Sequence, residues 1–175
     1  MDNKFLNNRF LLILIILIVF YLYFNRVPNR YISNLPNNII VSPCDGLVTH
    51  SNGRNISVFL SLFDVHAQYV PINSTIKNIQ IIHGMKYMAF KPESKHNEGI
   101  KVTFSCIYGD LEVTQRVGFF VRRIKNYIKV GDNVERGYNY GKINFGSRVD
   151  ILLPYGMVSK LKTNTRVSGG LTILH

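Results

Sequence analysis

Hydrophobic and polar positions divide this chain into three regimes. From Phe10 to Phe24 the run FLLILIILIVFYLYF contains fifteen residues without a charge or a helix breaker, bracketed by Arg9 and Arg26. No face of it is polar, so it predicts a helix surrounded by lipid rather than an amphipathic surface helix. A full span takes about 20 residues, and about 17 suffice where arginines snorkel and tyrosines sit at the interface. No small-x-small cleavage site follows in NRVPNRY, which favours an uncleaved anchor over a signal peptide. Residues 1–24 are therefore expected to be a tail plus a single-pass N-terminal membrane anchor.

The second regime, 25–38, has two prolines, five asparagines and no periodicity, and is expected to be a linker. The third begins at Ile39. Short apolar runs rich in β-branched and aromatic residues alternate with turn residues, without long amphipathic stretches. That pattern predicts a mainly β domain over 39–175, a compact β-sandwich or flattened barrel. Tyr108–Asp110 predicts a tight hairpin turn between strands at 101–107 and 111–115, and KHNEGI a loop. Two C-terminal stretches, IKVGDNVERGYNYGKINFG and LKTNTRVSGGLTILH, share a rhythm of turn, polar pair and glycine before a short strand. Hairpin carrier domains use such repeats, but the lysine hairpin of a covalent carrier is missing.

Charge narrows the partners. The chain has 21 Lys and Arg against 10 Asp and Glu, a net charge of +11. This favours an anionic partner, and beside an apolar anchor it favours a membrane surface over nucleic acid, for which no recognition helix or stacking motif is present. Cys44 and Cys106 form no metal-type spacing and read as ordinary small residues in a reducing compartment.

Three stretches interrupt the β background with chemistry. SPCDG places Asp45 in a Pro-bounded turn, FLSLFDVHAQYVP carries Asp64 and His66, and NFGSRVDILLP sets the Gly146-Ser147 pair inside an apolar strand. Singly these read as a turn, a structural histidine and a β-bulge. Jointly they supply an acid, an imidazole and a hydroxyl, the parts of an activated nucleophile. The G-x-S-x-G elbow of the α/β-hydrolases is absent. A serine directly after a glycine has another target within reach, its own preceding peptide bond.

At these residues the chain resembles the phosphatidylserine decarboxylases, particularly their short, single-domain branch. VSPCDGLV, FLSLFDVHAQYVPINSTI, HNE, VGFFVRRI, VGDNVERGYNYGKINFGSRVDILLP and GGLTILH match in order. Tyr69 stands where the longer branch has a second histidine, Cys44 replaces the alanine of the aspartate turn, and no arginine follows Asn97-Glu98.

The resemblance implies a proenzyme that cuts itself between Gly146 and Ser147. Ser147 would become a pyruvoyl group, the built-in cofactor, capping the C-terminal chain. Phosphatidylserine would be decarboxylated to phosphatidylethanolamine through a Schiff base to that group. Asp45, His66 and Ser147 are the implied catalytic residues, with Asp45 orienting and His66 moving protons. Arg122, Arg123, Asn97 and Glu98 are the implied substrate contacts, and the implied partners are phosphatidylserine, membrane lipid and the two self-cleaved chains. A catalytically inactive, membrane-tethered β-sandwich that binds lipid is the alternative, and it would be expected to have lost part of the Asp45, His66, Gly146-Ser147 set.

Overall fold

A computed structural model describes residues 3–30, 35–118, 124–143 and 146–175. Helix α1 (Asn3–Phe24) leads into a β body of two antiparallel sheets. The body comprises β1 (Gly46–Asn52), β2 (Asn55–Leu60), β3 (Ala67–Tyr69), β4 (Ser74–Ile82), β5 (Gly99–Cys106) and β6 (Gly109–Arg116). It continues with β7 (Ile124–Asn126), β8 (Asn133–Val134), β9 (Asn139–Ile143), β10 (Ser147–Leu152) and β11 (Arg166–Val167). Eight strands form one sheet in the order β11-β1-β2-β10-β6-β5-β4-β8, and β3-β9-β7 form a second.

The mainly β expectation holds, but the larger sheet is open and its described strands close no barrel. Its edges have a simple origin. The two sequence stretches with the shared glycine rhythm supply β8 and β11, so each copy caps one end of the sheet. Two-residue strands are too short to template another pair, which is one way a sheet edge is kept from aggregating.

Strand β10 shows how sequence sets the faces. Its burial alternates from Ser147 to Leu152, placing Ser147, Val149 and Ile151 inward and Arg148, Asp150 and Leu152 toward the other face. Val149 and Ile151 join the core with Val58, Val113, Phe104 and Tyr140. Burying each aliphatic side chain contributes about 1.5–3 kcal/mol. On the other face Asp150 accepts from Arg148 Nε and Arg116 Nε, each at 2.7 Å. The β5–β6 hairpin turns one residue earlier than expected, at Ile107-Tyr108. Cys106 pairs with Gly109, whose φ of +102° lets the chain re-enter the ladder.

Two N-terminal expectations change. The stretch read as a linker is fastened to the body over its described residues. Arg136 donates to the carbonyls of Leu35 (2.8 Å) and Pro36 (2.5 Å), and Tyr69 Oη donates to Pro28 O (2.8 Å). These are long-range side-chain contacts that local composition does not report. Further, no helix among the described residues is long and apolar enough to cross a membrane. The apolar run Phe10–Phe24 reaches only about 22 Å at 1.5 Å per residue, short of a hydrocarbon core of about 30 Å.

Candidate active site

The register of the large sheet collects distant motifs at one end. Ser147 lies opposite Leu60, where β2 stops. Arg148 lies opposite both Phe59 and Arg116, while Phe59 pairs with Leu47 and Arg116 with Gly99. Asp45, the chain leaving β2 toward His66, Ser147, Val117-Gly118 and Asn97-Glu98 therefore lie at the same end of five neighbouring strands.

Gly146 and Ser147 sit at the entry to β10. Gly146 has φ +55°, a left-handed conformation that favours glycine, and nothing lies within 4 Å of where its Cβ would be. Its identity is thus set by backbone conformation rather than by a close approach at its own Cα. The close approach is at Gly118, where an added Cβ would stand 1.8 Å from Gly146 O and 3.0 Å from Gly146 C. Ser147 is fully buried. Ser147 thus holds an inward position at the sheet's end, directly after a carbonyl that is seated on a bare glycine.

His66 is fully buried, and its backbone carbonyl accepts from Ile143 N at 3.1 Å. Its Nδ1 is 2.9 Å from Asp64 O. A carbonyl can only accept, so Nδ1 carries the proton and Nε2 of the neutral ring presents a lone pair. Nε2 has no hydrogen-bond partner among the described residues. Burial lowers the imidazole's pKa, opposed by the bond to Asp64 and reinforced by Lys142. The ring is thereby kept neutral and competent as a base. Phe24, at the end of α1, covers it with ring centroids 4.3 Å apart, and Lys142 Nζ stands 5.3 Å from the Phe24 centroid and bonds Asn25 Oδ1. Arg26 ties the same corner down by donating to Phe63 O at 2.8 Å.

Asp45 stands on the far side of β2. Its Oδ1 accepts from Gly169 N at 2.7 Å and its Oδ2 pairs with Arg30 at 3.2 Å. Asp45 and Ser147 belong to strands separated by β2, about 10 Å in backbone terms. The residue that contacts the His66 ring nitrogen is Asp64, through its backbone. The Asp64 carboxylate is taken by Ser61 N (2.8 Å), Ser61 Oγ (2.7 Å) and Arg166. Tyr69, the departure beside this site, keeps its phenol protonated. Burial raises its pKa to about 12, and the hydroxyl donates to Pro28 O.

The implied substrate contacts divide. Asn97 is fully buried and its amide is committed to backbone: Nδ2 donates to Tyr87 O (2.8 Å) and Val117 O (2.7 Å), and Oδ1 accepts from Tyr87 N (2.7 Å). Glu98 pairs with Lys86 at 3.2 Å. Arg122 and Arg123 lie outside the described residues. Arg30, Gly118, Lys142 and Phe24 were not singled out by sequence, since each matters only through a partner distant in the chain.

The family profile described as phosphatidylserine decarboxylase matches residues 17–175. A Methanosarcina barkeri protein with the provisional name archaetidylserine decarboxylase proenzyme is 36% identical over 155 residues, covering 89% of this chain and 76% of that one. A phosphatidylserine decarboxylase proenzyme of Streptomyces avermitilis is 35% identical over 156 residues, covering 86% and 71%. That of Chlorobaculum tepidum is 33% identical over 168 residues, covering 90% and 77%. With its serine, histidine and aspartate motifs drawn to one end of the sheet and similarity running through almost the whole β body, the chain belongs to the phosphatidylserine decarboxylase family and is a decarboxylase.

Proposed function

We propose that this protein is made as a proenzyme, cuts itself between Gly146 and Ser147, and decarboxylates phosphatidylserine to phosphatidylethanolamine at a membrane. The observation that carries the reading is His66, a buried neutral imidazole with Nδ1–H tied to Asp64 O and Nε2 unpartnered, at the end of the sheet where Ser147 opens β10.

In the self-cleavage, His66 Nε2 takes the Ser147 Oγ proton as the oxygen attacks the Gly146 carbonyl carbon. The Gly146–Ser147 C–N bond breaks, the nitrogen takes up a proton, and an ester joins the two residues. Loss of the Ser147 Cα proton then expels Gly146 as a carboxylate and leaves a dehydroalanine. Water adds, ammonia departs, and Ser147 ends as a pyruvoyl cap on the chain 147–175. The seat of Gly146 O against Gly118 fixes the angle of attack, and Asp45 with Arg30 supplies the charge framework on the other side of β2.

The residues fit this group, since the modified serine is fully buried at the start of a strand held on both sides. A pyruvoyl carbonyl held there would supply an electrophile for the substrate's amine and a sink for the electrons released with carbon dioxide. The chain's own contribution is to exclude water through Phe24, to hold the substrate's anionic headgroup with basic residues, among them Arg122 and Arg123, and to return a proton from His66 to the carbon that loses carbon dioxide. The names of the similar proteins share a serine lipid, and we infer that the serine headgroup is what this site reads. The catalytic unit is 39–175. Helix α1 lodges in lipid with Arg9 and Arg26 at its ends, tethering the unit through 25–38.

The test is an intact mass of purified protein followed by incubation with phosphatidylserine vesicles. The expected result is two chains meeting at Gly146 and Ser147, release of carbon dioxide, and an amine adduct on the smaller chain after borohydride. A single chain, or cleaved protein that releases no carbon dioxide, overturns the reading.

A further inference from the structure

The loop between β4 and β5, residues 83–96 (HGMKYMAFKPESKH), is built unlike the other connections. Its base is locked. Asn97 clamps Tyr87 and Val117, Ser94 Oγ donates to Ala89 O (3.0 Å) and Lys91 O (2.6 Å), and Arg148 Nη1 donates to Ser94 Oγ (3.3 Å). Its tip is apolar and turned outward, with Met88 43% and Phe90 61% exposed, and the clamped base turns two more apolar side chains outward, Met85 60% and Tyr87 40% exposed. A rigid base that holds four large apolar side chains in water signals an interaction surface rather than loose packing.

Charge on the loop identifies the partner. Lys86, Lys91 and Lys95 lie among the apolar residues and are exposed, against Glu93 as the one acid within the loop. Lys91, Lys95, His50 and Arg148 line a groove alongside Phe90. Methionines and aromatics on the loop with lysines around them match the layering of a bilayer interface, apolar groups below the headgroups and cations among the anionic ones.

Position supports the same partner. Ala89 lies against Gly118, the glycine that seats the Gly146 carbonyl. Phe90 meets Phe59 edge-on at 6.3 Å, and Phe59 is followed by Leu60, opposite Ser147. A few residues further, the exposed Leu62 and Phe63 sit in the turn that Tyr23 and Arg26 bind from the end of α1. Apolar surface thus runs from the helix through the 61–64 turn to the loop, along the end of the sheet that carries the cleavage site.

We propose that the 83–96 loop is a second lipid-contact surface, laying Met85, Tyr87, Met88 and Phe90 into an anionic bilayer so that the Gly146–Ser147 end faces the membrane. This extends the membrane reading of α1, and it fixes which side of the body meets the lipid. The substrate then needs to rise only partly from its leaflet to reach Ser147.

The chain contains no tryptophan, so one substitution gives a clean depth probe. Full-length Phe90→Trp, and separately Met88→Trp, would be reconstituted in vesicles of phosphatidylcholine and phosphatidylglycerol with brominated acyl chains. The reference is Tyr155→Trp, at a side chain 90% exposed beyond the other end of β10. Bromine should quench both loop variants at least about twofold more than the reference, the depth expected of interfacial aromatics. Lys91→Glu with Lys95→Glu should remove most of that difference. Protein that floats with the vesicles yet shows equal quenching at all three positions overturns the loop contact while leaving the tether intact. Protein that does not float overturns both. Neither readout requires turnover, so loss of catalysis would be seen separately.

Discussion

The ring of Phe24 lies 4.3 Å, centroid to centroid, from the ring of His66, inclined by 41°. The last residue of the apolar helix is thereby part of the wall around the candidate catalytic histidine. Phe24→Ala should uncover the imidazole and let its pKa rise toward the ordinary value of about 6.5. A base that protonates more readily is lost at higher pH. The acid limb of the self-cleavage profile should therefore move upward, as followed by conversion of precursor on denaturing gels from pH 5 to 8. An unmoved limb would separate Phe24 from the chemistry.

The same depressed pKa has a consequence for stability. The unfolded chain takes up a proton at His66 before the folded one does. The contribution is therefore constant above about pH 6.5 and is lost as pH falls below it toward the lowered folded value. Thermal melts of the Ser147→Ala precursor across that window should show the loss. His66→Ala added to that variant should flatten it.

Ser147→Ala should leave an intact, folded chain of 20.1 kDa, where the parent should give 1–146 and 147–175. The variant removes one hydroxyl from a fully buried position without adding volume. It should melt in a single cooperative transition by calorimetry, as a folded precursor does.

Gly118→Ala tests the seat of the scissile carbonyl. The new methyl would stand 1.8 Å from Gly146 O, so the peptide must shift. Displacements of about 1 Å commonly cost on the order of 100-fold in rate, and self-cleavage should slow by at least that much. A circular-dichroism spectrum matching the parent's, with precursor accumulating, is the expected pair of results.

Asp45→Asn keeps an acceptor for Gly169 N–H but removes the charge opposite Arg30. Self-cleavage should slow by on the order of 100-fold as the Arg30–Asp45–Gly169 contact loosens and the site shifts by about 1 Å, since Asp64 O rather than this carboxylate holds the His66 ring. His66→Ala should either block cleavage or allow it and stop decarboxylation, which separates its two roles. Asp45→Asn maturing at the parent rate, timed by gel, would remove Asp45 from the mechanism.

Much of this was legible in sequence. Alternating short apolar runs predicted the β body, and the two C-terminal stretches with a shared turn-and-glycine rhythm supply the two edge strands, β8 and β11, though no edge could be assigned from sequence. The Gly-Ser pair in an apolar run marked the candidate site, and the structure puts it at the entry to β10 rather than inside a strand. What could not be read was the company each residue keeps. Gly118 resembles any glycine until Gly146 O is placed against it, and Asn97 resembles a surface ligand until Tyr87 and Val117 claim its amide. Arg30 sits in an asparagine-rich stretch with no local pattern, and only the folded chain brings it to Asp45. The helix run was visible, yet its end closing over His66 follows from tertiary packing that no periodicity encodes.

Strand β10 is bonded to β2 on one side and β6 on the other, at the middle of the eight-stranded sheet. The groups proposed to cut the chain share the Ser147 end of the sheet through that placement: the chain toward His66 leaves β2, Gly118 follows β6, and Asp45 precedes β1, one strand further out. A chain with its strands misregistered would carry the same residues and be unable to use them. A prosthetic group formed in the proposed way would act as a certificate of correct folding, issued by the structure to itself, and a misassembled copy would stay inert without any outside inspector.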